Sequence, residues 1–114
     1  MHHRLGVPQD DARAVYWWAK KAAKQGNVMA QRNLGGMHLR GEGVPEDYAR
    51  AYAWSSISAA GGSARSKKGK KIIAKRMTPA QIAEAQKLSR EYWEKYVVPF
   101  QRSASAERVG RRLH

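Results

Sequence analysis

The side chains of this chain that could do chemistry are four histidines, four tryptophans and one dense run of cations. Metal chemistry needs donors that converge. His2, His3, His38 and His114 include no pair spaced i, i+4 on a helix and no carboxylate at ligand spacing, and there is no cysteine to supply a thiolate. Acyl or phosphoryl transfer needs a nucleophile beside a base, paired carboxylates in a pocket, or a phosphate-cradling loop. None can be assembled, because the glycines of GEGVP at residues 41–45 are those of a turn between helices. The expectation is a non-enzymatic chain with no metal and no cofactor. Trp17, Trp18, Trp54 and Trp93 could stack on bases or a ligand, but aromatics at helical spacing are expected to be core. Arg65, Lys67, Lys68, Lys70, Lys71, Lys75 and Arg76 follow one another with no acid among them. Such a run reads first as a solvated helix face. If it bound phosphates, the binding would be salt-sensitive and blind to sequence, because no loop offers a base-reading device.

These residues sit in elements that the chain spells twice. Aligning Gly6 with Gly43 and running to Ala23 against Ala60 pairs 18 positions at a constant offset of 37, of which 10 are identical, including Pro8 with Pro45 and Trp17 with Trp54. Self-similarity of that kind marks a repeat architecture. In each copy Val-Pro-x-Asp opens a helix, with Pro8 and Pro45 assigned to its first turn and Asp10 and Asp47 near the positive end of the dipole. The helices run to Gly26 and to Gly61-Gly62. Ala12, Val15, Trp18, Ala19 and Ala22 mark the apolar face of the first, and Ala49, Tyr52, Ala53 and Ala59 that of the second. Between them Ala30, Leu34 and Met37 form the stripe of another helix, ended by Gly41 and Gly43. Small residues at Ala22, Ala30, Gly35 and Ala59 suit close helix crossings, with Trp17 and Trp54 filling the wider gaps.

The stretch AQRNLGGMHLRGEGVPEDYARAYAW resembles the Sel-one-like repeat, a relative of the tetratricopeptide repeat. Ala30, Leu34, Gly35, Gly41, Gly43, Val44, Asp47, Ala51, Trp54, Ala59 and Ala60 fall on that pattern, with His38 where tyrosine is usual and Arg50 where lysine is usual. The resemblance covers a complete repeat, residues 27–62, and the second half of another, residues 4–26. It implies an all-α fold, an α/α superhelix in which antiparallel helix pairs stack as a right-handed solenoid of five helices. The solenoid would occupy residues 1–100, with a degenerate pair over 63–98. Gly69 weakens the first helix of that pair, while Thr78-Pro79-Ala80-Gln81 opens a strong last one with Ile82, Ala85, Leu88, Tyr92, Trp93 and Tyr96 on one face. Residues 101–114 read as a basic, loose tail. The resemblance further implies a scaffold that binds another protein or a peptide on its concave side, where register on Leu34 and Gly35 points Met29, Arg32, Asn33, Gly36 and Arg40.

Charge and termini add two expectations. Residues 1–62 hold 8 basic and 5 acidic side chains and residues 63–114 hold 14 and 4, so +10 of the net +13 lies in the second part. That bias makes nucleic acid or anionic membrane a second, less favoured class of partner, through the 65–76 run and the tail. No stretch has the apolar length of a membrane span or of a secretory h-region, so the default expectation is a cytoplasmic chain, or an exported one if residues precede Met1. The first repeat lacks its first helix, which leaves Val15 and Trp18 without their usual cover. Self-association through that helix, or else a natural start upstream of Met1 that supplies the cover, is expected, while fold-back of the last helix is disfavoured because each unit of a solenoid touches only its neighbours.

Overall fold

The structure, a computed structural model, describes residues 9–101. Among them are five helices and no strand: α1 (Gln9–Lys24), α2 (Val28–Arg40), α3 (Tyr48–Ala60), α4 (Ala64–Ala74) and α5 (Pro79–Tyr96). Pro8, His2, His3, His114 and all of the expected tail beyond residue 101 lie outside the described residues.

Side-chain caps set the helix starts. Asn27, Asp47, Ser63 and Thr78 each accept a hydrogen bond from the backbone N–H three residues on, which satisfies a donor that the first turn leaves orphaned. At Thr78 the box is reciprocal, since Gln81 Oε1 accepts from Thr78 N at 2.8 Å. The cap at Asp47 corrects the reading of Val-Pro-x-Asp: Pro45 precedes α3 and shapes the turn, and the aspartate is the cap itself. α2 ends where Gly41, at φ 69°, turns left-handed and donates to the Met37 carbonyl.

α3 is the centre of the molecule. It packs against α2, α4 and α5 and buries Ala51, Tyr52, Ala53, Trp54, Ser55, Ile57, Ser58 and Ala59. Small residues make that possible. A Cβ on Gly35 of α2 would lie 2.7 Å from Ser55 Oγ, so the two helices approach to a distance only glycine permits. One apolar cluster joins Tyr16 and Ala23 of α1, Leu34 and Met37 of α2, and Trp54 and Ile57 of α3. A second joins Ala51 and Tyr52 of α3 to Ile73 and Ala85. α4 forms despite Gly69, because it buries Ile73 and Ser66, whose hydroxyl meets that of Ser58 on α3.

Three expectations about packing are corrected. In α1 the buried side chains are Tyr16 and Ala23, with Ala12 and Ala19 partly covered, while Val15 is 51% exposed and Trp18 71%. Val15 and Trp18 are thus without cover, as expected, and what the apolar stripe omitted is Tyr16, which packs its ring edge-on against His38 of α2, with centroids 5.6 Å apart. Two of the four tryptophans are not core. Trp17 is 64% exposed, whereas its sequence counterpart Trp54 is 3% exposed, since among the described residues no helix packs against that side of α1. Nor do the ends of the stack stay apart. Tyr92, Trp93, Tyr96 and Val97 pack onto the cluster shared by α1, α2 and α3, and Phe100 lies against Gly26. The terminal helix turns back far enough to touch α1 but leaves Val15, Trp17 and Trp18 uncovered.

Candidate partner-binding cleft

Capping and close packing of α2 on α3 leave a cleft of about 280 Å³ between α2 and α4. Arg32, Asn33, Gly36 and Arg40 line it from α2, Ser55 forms part of the α3 side, and Arg65, Gly69 and Ile73 line it from α4. Gly36 matters because a Cβ there would lie 2.9 Å from Arg40 Nη1; its absence lets the guanidinium fold back across the helix. Arg40 Nε donates to Glu42 Oε1 at 2.7 Å, a solvent-exposed pair at the C-terminal end of α2. Three arginines line this cleft, and although Glu42 offsets the charge of Arg40, Arg32 and Arg65 leave electrostatics that suit an anionic guest.

Of the five residues placed on the concave side by sequence register, Arg32, Asn33, Gly36 and Arg40 share the cleft. Met29 is exposed but is not part of its lining. The α4 wall was missed as a wall: Arg65 stood out only as one member of the cation run. The helical spacing of Arg65, Gly69 and Ile73 was the available signal, because the glycine leaves room and Ile73 anchors the helix to α3.

The cation run does not form one track. Arg65 faces the α2 side, Lys67, Lys70 and Lys71 border a separate depression with Tyr52, Ser56 and Ala59, Lys68 is exposed on the helix outside both, and Lys75 and Arg76 are exposed just beyond its end. Lys70 Nζ sits 5.3 Å from the centroid of the Tyr52 ring. A phosphate backbone following one face of α4 would meet only part of the run, which gives no support to nucleic-acid or membrane binding there.

His38, the one histidine among the described residues, is buried against Tyr16 with Nδ1 unpartnered, and no group of three or more potential metal donors gathers among those residues. It is core, occupying the place where the repeat pattern usually has tyrosine. Burial holds its pKa below the ordinary 6.5, outweighing the upward pull of Asp47. The unfolded chain then binds a proton at a higher pH than the folded one. Stability is therefore fully present above about pH 6.5 and falls as the pH drops from there toward the folded-state pKa. Urea midpoints measured from neutral pH down to about pH 5 are expected to decline in the parent and to stay flatter in His38→Tyr; equal slopes would refute the assignment.

A protein built of helices that stack in repeated units, with a cleft between successive units, is a helical-repeat protein. The comparisons with known proteins name the kind. The family model "Sel1 repeat" matches residues 1–27 and 28–63, more than half of the sequence, and the chain belongs to that family. A solved structure similar to it is a protective antigen present in uropathogenic Escherichia coli strains, described as displaying an SLR fold. It is 33% identical and superposes with a TM-score of 0.75 over 78% of this chain and 19% of its own. The chain thus spans about a fifth of the length of that antigen. No curated protein matches. Repeats of this family generally mediate protein–protein interaction and are typically non-catalytic. No helix among the described residues is long and apolar enough to cross a membrane.

Proposed function

We propose that the chain is a non-enzymatic interaction module that holds a short acidic stretch of a partner protein in the cleft between α2 and α4. The observation that carries this reading is the convergence of Arg32, Arg40 and Arg65 on one cleft that has no carboxylate in its lining. Asn33 adds a polar group for a guest backbone and Leu39 adds apolar surface, the mixture that a peptide site requires. An acidic side chain entering there meets Arg32 on one wall and Arg65 on the other, while a basic one meets a lining of net positive charge.

The test is binding to an array of peptides graded in acidity, followed by fluorescence anisotropy on those retained. Acidic peptides are expected to be preferred, and Arg32→Glu with Arg40→Glu is expected to weaken them by at least about tenfold, with Arg65→Glu acting in the same direction. Unchanged affinity in the double variant would sink the assignment.

A further inference from the structure

Three glycines line the cleft from helix interiors, Gly35 and Gly36 on α2 and Gly69 on α4. None of them has a positive φ, so backbone conformation requires glycine at none of these places. Packing requires it at one. A Cβ on Gly35 would meet Ser55 Oγ at 2.7 Å and the Ala51 carbonyl oxygen at 3.3 Å. A Cβ on Gly69 would meet nothing within 4 Å. On Gly36 its three nearest neighbours all belong to the tip of Arg40, with Nη1, Nη2 and Cζ at 2.9, 3.1 and 3.3 Å. That tip is the end of an exposed, flexible side chain and can move aside, so the fold needs neither Gly36 nor Gly69. Glycine in a helix interior is nonetheless destabilising relative to alanine, and α2 and α4 each carry that cost on a wall of the same cleft.

We infer that Gly36 and Gly69 determine what the cleft admits: they keep bare helix surface on its two walls, so that the main chain of an acidic guest can lie against both while its carboxylates reach Arg32 and Arg65. This rests on the reading of the cleft as a peptide site. Glycine is the residue that lets a backbone come this close to a bound molecule. At about 280 Å³ the cleft is small, and a methyl group projecting into it displaces guest atoms. Gly36 has a second effect. The guanidinium of Arg40 lies across the bare backbone there, while Arg40 Nε donates to Glu42 Oε1 at 2.7 Å. A methyl at Gly36 lifts that group off α2 and into the space beside Arg32. A substitution that improves either helix therefore narrows the site, the trade of stability against function that binding surfaces commonly show.

The signature is a gain in stability joined to a loss in binding. Gly36→Ala and Gly69→Ala are each expected to raise the urea midpoint of the full chain. In fluorescence anisotropy each is expected to weaken binding of a fluorescein-labelled oligoglutamate peptide by about fivefold or more. Gly69→Leu, leucine being another good helix former, should weaken it further than Gly69→Ala does. Gly35→Ala, in contrast, lowers the midpoint. Arg32→Glu with Arg65→Glu separates the two levels: unchanged affinity in that variant overturns the cleft reading and takes this inference with it. A loss there, combined with parent affinity in both alanine variants and in Gly69→Leu, overturns the inference alone. So does a fall in the urea midpoint of either alanine variant, which would make that glycine part of the packing.

Discussion

Trp54→Ala is expected to lower the free energy of unfolding by about 3–5 kcal/mol, while Trp17→Ala, the same change at the paired position of the other copy, shifts it by no more than about 0.5 kcal/mol in the monomer. The side chains are chemically identical and differ only in what surrounds them. The Trp54 ring lies 4.5 Å from the centroid of Tyr92 and stacks on Tyr96 at 5.4 Å, with Leu34 and Ile57 in the same cluster. Removing it opens a cavity that three helices would have to collapse into. Burial there also pushes the Tyr92 phenol up to about 12, so the aromatic group stays neutral through the ordinary pH range and adds no charge to the core. Urea denaturation at low protein concentration measures both variants. Equal losses at the two positions would mean that the α1 face is covered in the folded monomer.

Gly43→Ala should cost roughly 2–5 kcal/mol, for two separable reasons. Its φ of 72° is left-handed, and a Cβ at that position would collide with the backbone carbonyl of Ala12 on α1. Backbone cannot rotate away as a side chain can, so α1 has to move. Gly62 supplies the control: its φ is 107°, but a Cβ there meets nothing within 4 Å. Gly62→Ala therefore carries the conformational cost alone and is expected to be clearly milder. If the two substitutions unfold at the same denaturant concentration, the contact between the α2–α3 turn and α1 is not a determinant of stability.

Local signals in the sequence were sufficient for the helices, because caps, glycine stops and apolar spacing act within a few residues. Thr78 with Gln81 and Gly41 after Arg40 read in the sequence as they stand in the structure. Asp47 shows the limit of such signals, since proline at a helix start and aspartate at its cap leave almost the same trace, and only geometry separates them. Burial was harder to read. Tyr16 was not on the apolar stripe of α1, and its burial is set by His38 on another helix. Likewise nothing near Trp17 says that it lacks the neighbours Trp54 has. Half of the cleft was legible because Arg32, Asn33, Gly36 and Arg40 share one helix and follow its period; the Arg65 wall comes from a helix 25 positions beyond Arg40 and is set by tertiary packing.

The central position of α3 bears on the order in which the molecule opens. α1 is held by its packing on α2, by one hydrogen bond from Gln31 Nε2 to the Ala23 carbonyl, and by the end of α5. Losing these contacts leaves Ala51, Tyr52, Ile73 and Ala85 packed as before. α3 has no such freedom, because releasing it separates α2, α4 and α5 at once. Fluctuations therefore run inward from the first helix, which opens as a small cooperative unit, while α3 stays protected until the whole fold is lost. The exposed Trp17 and Trp18 belong to that first unit, so a molecule bound to them would slow the first step of unfolding as well as cover the tryptophans.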